Sequence, residues 1–388
     1  MGKRLQNFRY IDGFLLLLVT LLVAGGTIII GSANGWVYDS EHFSLDHLMV
    51  RQLLGYGLGL AAIAVIMVCD LRFIKWMAVP AYVVVLFLLV LVLRIGVGAD
   101  EGDDVRRWLE IGGQSLQPSE LGKIALTLTL AWYLDKYQEY NKKFLYWVIA
   151  GGIAAVPLLL IFKEPDLSTS IVIVAIFISV MFAAQISWKY VGIAAAVLIP
   201  AVALIFWDAL SETPHILNEY QASRILAWLH PEDYALTTAY QSLQAKYAIG
   251  SGGLRGVGLF HNSGVVPIAT TDFIFGIIGE ELGFIGASLF IILLMALTFR
   301  ILWISTQTKN LFYKLICVGM AAMIGFQSSI HMGVNTSILP NTGLPLPFVS
   351  YGLSSLTTNM IGIGLVLRIR AEIKKTQGGS SYEYRLNR

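Results

Sequence analysis

The chain has 388 residues, of which 56% are hydrophobic and only 13% charged, with a formal net charge of +2. A soluble domain carries about 25% charged residues, so a soluble globular fold is excluded. So small a net charge also leaves no footprint for nucleic acid. The two cysteines, Cys69 and Cys317, lie in apolar stretches and read as core thiols rather than a disulfide or a metal site.

A membrane-crossing helix needs roughly 20 mostly apolar residues. Met1–Arg9 is a short basic leader, and the apolar run behind it shows no convincing small-residue cleavage site. It therefore reads as an uncleaved first span. In chain order the expected spans lie at about 13–32, 50–69, 75–96, 118–136, 144–162, 168–185, 190–207, 272–300, 313–335 and 353–370. With the N-terminus in the cytoplasm, Arg106, Arg107, Lys163, Arg224, Lys246 and Arg255 fall on the outside. Arg51, Arg94 and Lys123 fall in or beside spans, and the rest of the 27 lysines and arginines fall inside. That bias follows the positive-inside rule for an even number of spans. The expectation is an all-α integral membrane protein of about ten transmembrane helices with both termini cytoplasmic. It forms a single polytopic domain over 1–388, with a large extracellular loop at 208–271 between spans seven and eight and a cytoplasmic tail at 371–388.

The outer loops carry the unusual composition. The first, about 33–49, is short and acidic, and the second, about 97–117, is dense in both charge signs. Loop 208–271 is too long for a plain connection, and surface helices are expected near 215–230 and 237–249, the latter stopped by Gly250. The last, about 336–352, holds three prolines and no charge. Such backbone at a membrane must be buried in protein or line a cavity.

Individual residues admit a functional and a plain reading. Glu120 and Lys123 lie three apart behind Pro118. They pair on one helix face, and charges within a span are functional candidates because they are costly. Arg106, Arg107 and Trp108 are either an interfacial anchor or a guanidinium pair for an anionic head group. In Lys163–Thr169, Asp166 or Ser168 caps the sixth span, or Asp166 is catalytic or binds a cation. Gly250–Gly256 is a glycine-rich turn or an anion nest; with no preceding strand and no closing Lys-Ser/Thr it is not a nucleotide loop. Asp272 opens the eighth span and tops a stripe formed by Gly276, Gly279, Gly283 and Gly286. That stripe suits a packed helix or a lipid chain. The plain reading of Thr271 or Asp272 is an N-cap. Glu280 and Glu281 lie deeper and pair inside the bundle.

Taken together, Arg107-Trp108, Gln117–Glu120, Pro165–Leu167, Tyr247–Leu254, Thr271–Phe275 with Gly279–Gly283, and Leu344–Tyr351 stand in the order of the SEDS family (shape, elongation, division and sporulation). The chain resembles that family over nearly its whole length, and Asn341-Thr342-Gly343 and Tyr240-Gln241-Ser242 favour its RodA branch over FtsW. Leu353 replaces the second glycine of the family's Ser-Tyr-Gly-Gly, and His261–Thr270 lacks the usual Pro-Glu. The resemblance implies a peptidoglycan glycosyltransferase that polymerises lipid II in the bacterial cytoplasmic membrane from its outer face, for cell-wall elongation and cell shape. It also implies a class B penicillin-binding protein as partner. The family's essential aspartate falls on Asp272, and its supporting positions fall on Trp108, Glu120, Lys123 and Asp166.

The reaction needs positive charge on a diphosphate and one base for a sugar hydroxyl, with inversion at the anomeric carbon. Arg107, Lys246 and Arg255, with or without a divalent cation such as Mg, are candidates for the charge. Glu280 and Ser350 are candidate supporting residues, and Asp272 is the candidate base. The competing class is a lipid flippase, which needs charges along its whole path, or inverted repeats and broken helices at the membrane midplane.

Overall fold

The computed structural model describes residues 6–386 except 36–44, 99–105, 112–113, 165, 212–214 and 218. Most of the first outer loop, the acidic part of the second and Pro165 thus lie outside the described residues. A helix stands at every expected span: α1 (Gly13–Ala33), α2 (His47–Val68), α3 (Leu71–Ile95), α4 (Pro118–Lys136), α5 (Phe144–Lys163), α6 (Leu167–Ala183), α7 (Trp188–Ala209), α10 (Ile274–Thr306), α11 (Leu311–Asn335) and α12 (Leu353–Leu386). Of these α1, α2, α3, α5, α10 and α11 are long and apolar enough to cross a membrane. Helix α6 is apolar but shorter, and α4 carries Glu120, Lys123, Asp135 and Lys136.

Local chemistry starts these helices. The carboxylates of Asp12, Asp46, Asp70 and Asp166 accept main-chain N–H groups of Leu15, Leu48, Arg72 and Thr169 at 3.2, 2.9, 2.9 and 3.0 Å. Each satisfies a donor that the first helical turn leaves free. Pro118 occupies the first turn of α4, where its missing N–H costs nothing. Helix α12 packs along α2, α11 lies against α10, α6 and α4, and α3 lies against α4. Residues 371–386, expected as a tail, continue α12 as helix.

The end of the bundle that carries the long 208–271 segment holds α8 (Glu219–Leu229) and α9 (Tyr240–Ser251), close to the expected surface helices. It also holds an unanticipated hairpin, β1 (Leu109–Ile111) and β2 (Gln114–Leu116), paired antiparallel with Glu110 opposite Ser115.

Helix α10 is broken. Its 33 residues would span about 50 Å as one rod, against a hydrocarbon core of about 30 Å. At Gly283 the backbone turns to φ 64°, ψ −165°, a region open to glycine alone. The glycine loop after α9 fills the gap. Val257 and Gly258 donate to the carbonyls of Glu280 and Glu281 at 2.9 and 3.0 Å, and Phe284 and Ile285 donate to those of Gly253 and Leu254 at 2.8 and 3.2 Å. Of the two readings of Gly250–Gly256, the structure therefore favours the structural one. The carbonyls of Gly253 and Leu254, with the N–H groups of Val257 and Gly258 just beyond, are spent on splicing the break, as buried polar backbone requires.

Candidate active site

A polar cavity of about 660 Å³ opens among the ends of α4, α6, α8, α9 and α10, the hairpin and the 341–355 segment. That volume suits a bound small molecule or head group. Arg107, Trp108, Glu120, Asp166 and Asp272 all line it, joined by Arg224. Residues from four separate stretches of the sequence thus converge on one cavity.

Each is held by its own contacts. Asp166 caps α6 through Thr169 N at 3.0 Å, takes Thr169 Oγ1 at 2.8 Å, and receives Gln117 Nε2 at 3.3 Å. Its capping role is therefore real, and it also faces the cavity. Arg107 Nε donates to the Glu164 carbonyl at 3.3 Å. Glu120 receives Lys123 Nζ at 2.7 Å. Lys123 is fully buried behind it, outside the cavity lining, and also donates to Gln327 Oε1 at 2.8 Å.

Gln327 begins a polar ladder that holds the far wall. Gln327, His331 and Asn335 are spaced four apart on α11 and so share a face. Gln327 Nε2 donates to the Pro345 carbonyl at 2.9 Å, and His331 Nδ1 is 2.6 Å from the Leu344 carbonyl. Asn335 Nδ2 donates to the Asp272 carbonyl at 3.1 Å. Ser350 Oγ donates to the Thr271 carbonyl and accepts Leu346 N at 2.8 Å. Ser350 supports the wall without lining the cavity.

Asp272 is partly open to the cavity yet enclosed by protein. That burial raises its carboxyl above the usual carboxylate range. The Arg224 guanidinium opposes the rise, followed by a hydrogen bond with Thr271 and the charge of Arg107, while Asp166 adds to it. Gly343 stands against it at φ +69°, and a Cβ there would lie 3.1 Å from Asp272 Oδ2. Gly343→Ala should therefore cost about 1–2 kcal/mol of backbone strain and crowd the carboxylate. The expected result is a lowered melting temperature and a deeper loss of turnover than unfolding explains, read by thermal melts beside activity.

Glu164, buried beside this wall, has both carboxyl oxygens without a hydrogen-bond partner among the described residues. Burial, with the charge of Asp166 and against that of Arg107, pushes it up to about 9. The folded state therefore holds a proton that the unfolded chain releases near pH 4.5, and stability falls as pH rises from there towards 9. Glu164→Gln mimics the protonated form and should stabilise the protein at neutral pH by roughly 2–4 kcal/mol, with the gain vanishing below pH 4.5. Thermal melts across pH check it.

The remaining candidates lie elsewhere. Lys246 and Arg255 are exposed and do not line the cavity. They sit on α9 and the splicing loop, whose inward faces are used in packing against α10. Glu280 is buried and accepts Ser263 N at 2.9 Å, while Glu281 accepts Asn262 Nδ2 at 2.7 Å and the Ser32 hydroxyl. These glutamates hold the 262–263 segment rather than each other. The glycine stripe below Asp272 leaves no room for a lipid chain: a Cβ on Gly276 would meet Ala245 at 3.2 Å and one on Gly279 would meet Ile249 at 2.8 Å. Helix α9 fills it. Among the described residues no three His, Cys, Asp or Glu side chains converge as a metal site; the guanidinium groups of Arg107 and Arg224 line the cavity.

Arg224, Gln327, His331 and Asn335 escape the motif reading. Arg224 counts in the sequence only as one outer charge. The other three carry a usable signal, since polar residues repeating every four positions in an apolar span mark an internal face.

These features define a polytopic helical membrane protein with a carboxylate- and arginine-lined cavity at one end of its bundle. The chain belongs to the FtsW/RodA/SpoVE family of cell cycle proteins, whose model matches residues 13–375. It is 31% identical over 381 residues to a probable peptidoglycan glycosyltransferase FtsW of Geobacter sulfurreducens, covering 96% of this chain and 99% of that protein. It is 32% identical to the peptidoglycan glycosyltransferase MrdB of Escherichia coli K12, covering 94% and 95%. Among solved structures, a chain described under structural coordination of polymerization and crosslinking by a peptidoglycan synthase complex superposes with a TM-score of 0.78 at 28% identity, covering 94% and 98%. The rod shape determining protein RodA of Thermus thermophilus superposes at 0.65 with 27% identity, covering 93% and 96%.

Proposed function

We propose that this chain is a peptidoglycan glycosyltransferase that joins lipid-linked disaccharides into glycan strands. The observation that carries the reading is the Asp272 carboxylate, set in a polar cavity with Arg107 and Arg224 and outside any helix cap. A diphosphate is already a good leaving group, so the reaction needs cations on the diphosphate and one base on the acceptor hydroxyl. Arg107 and Arg224 stabilise the departing diphosphate, as guanidinium forks suit phosphate oxygens. Asp272 takes the proton of the attacking sugar hydroxyl as the glycosidic bond forms, and direct attack inverts the anomeric carbon. A carboxyl raised by burial is a stronger base than an ordinary one.

The substrate is lipid II, and the protein acts from the outer face of the bacterial cytoplasmic membrane, with both ends inside as the charge bias implies. Relatives named FtsW and MrdB match at similar identity. The motif wording at Asn341–Gly343 favours elongation. A class B penicillin-binding protein is the partner that cross-links the strands, in keeping with a structural relative described as part of a synthase complex.

The test is purified protein given lipid II, with products separated by length. Strands from the wild type and none from Asp272→Asn support the reading. Lipid translocation by both proteins, with no strands from either, replaces it with a flippase.

A further inference from the structure

Aspartates preceding four other helices of this chain spend their carboxylates on the cap: Asp12, Asp46, Asp70 and Asp166 each accept an N–H of the helix they open. Asp272 stands in nearly the same position before α10, one residue ahead of Phe273, which makes no side-chain cap hydrogen bond. The first turn of α10 nevertheless has its acceptor, supplied by a different helix. Asn335, fully buried at the end of α11, accepts Gly276 N on Oδ1 at 2.9 Å. Its Nδ2 donates to the carbonyls of Asp272 at 3.1 Å and His331 at 2.9 Å. The Gly276 N–H also bonds the Phe273 carbonyl at 2.9 Å, so one amide adds a side-chain acceptor to the first turn of α10 and holds the main chain of Asp272 to α11.

We propose that Asn335 is a positioning residue that caps α10 from α11 and so leaves the Asp272 carboxylate to the cavity. The inference rests on the reading of Asp272 as the proton acceptor. The general physics is that a carboxylate beside an unanswered helix N-terminus turns to it, because N–H donors and the helix dipole favour the anion there. Such a bond stabilises the ionised form and weakens the base. The charged groups facing Asp272 are Arg224 from α8, Arg107 ahead of β1 and Asp166 at the start of α6. None of them changes in the variants below.

Asn335→Leu removes both polar atoms at similar volume, and Asn335→Ala removes them in a smaller form should the leucine prevent folding. Either should lower the turnover of lipid II polymerisation roughly 30-fold, with KM changed less than about twofold, and should move the acid limb of the pH profile to lower pH. Asn335→Asp, protonated in that buried place, keeps one donor and one acceptor and should recover most of the turnover. Infrared difference titration, wild type against Asp272→Asn, reads the protonation of Asp272 independently of turnover. Its midpoint should fall in Asn335→Leu and Asn335→Ala and return in Asn335→Asp. An unchanged midpoint in folded Asn335→Ala overturns the inference, as does a turnover loss that Asn335→Asp fails to rescue. A midpoint that moves as expected while Asp272→Asn still polymerises would instead sink the proton-acceptor reading and leave the capping role standing.

Discussion

Asp272→Asn should lower the turnover of strand synthesis by roughly a thousandfold, within the range for losing a positioned general base, while KM for lipid II changes little. The substitution keeps the shape of the side chain and removes its basicity. Arg107, Trp108, Glu120 and Arg224 still line the cavity, so substrate binding persists. The helix start is untouched, because Asn335 and the Phe273 carbonyl, and not the Asp272 carboxylate, answer the Gly276 N–H. Melting should therefore shift upward if at all, since the variant no longer buries a carboxyl whose ionisation burial opposes. Steady-state kinetics beside thermal melts separates the loss of base from loss of fold. A comparable fall in melting temperature would mean that the aspartate is structural.

The second large effect lies just behind the cavity. Lys123 is fully buried, with Glu120 at 2.7 Å and Gln327 at 2.8 Å as its partners. Lys123→Met leaves the Glu120 carboxylate buried without its counter-charge, which should cost about 3–5 kcal/mol. It also frees Gln327, which holds the Pro345 carbonyl of the cavity wall at 2.9 Å. The expected result is a protein that melts well below the wild type, with little activity in what remains folded. Adding Glu120→Gln should return much of the stability, because no unpaired charge is then buried. Activity should stay low, since the wall loses its tie to α4. A single variant as stable as the wild type would show that the pair carries no structural weight.

The sequence made the helices readable because apolar runs of span length are a direct physical signal, and Asp166 stands in it as one of two candidate caps for α6. Helix α3 starts at Leu71 behind Asp70, ahead of the expected 75, because its first turn carries Arg72 and Lys75 and falls outside the apolar run. The cavity wall was readable in part: Arg107, Trp108, Glu120, Asp166 and Asp272 sit in motifs whose family resemblance names them, and the structure brings all five to one cavity. What stayed hidden depends on contacts between distant segments. The break at Gly283 needs Gly253, Leu254, Val257 and Gly258 to satisfy its backbone, and a periodicity argument sees only one long helix. The glycine stripe fitted a packed helix and a lipid chain equally well until α9 was placed against it. Lys246 and Arg255 looked suited to a diphosphate because they are outer cations, but charge alone does not say which way a side chain faces. Arg224 was the same kind of residue in the sequence, and only the placement of α8 brings it to the cavity.

The most direct measurement is the pH dependence of single-turnover strand extension by the purified wild type, with the Asp272→Asn protein run alongside. A carboxylate that burial holds above its ordinary range must be ionised to accept a proton, so the rate should fall on acidification with a midpoint clearly above about 4, the value for an exposed aspartate. That limb should be missing from whatever residual rate the variant retains. The same acid limb in both proteins would contradict the account, because the group being titrated would then not be Asp272.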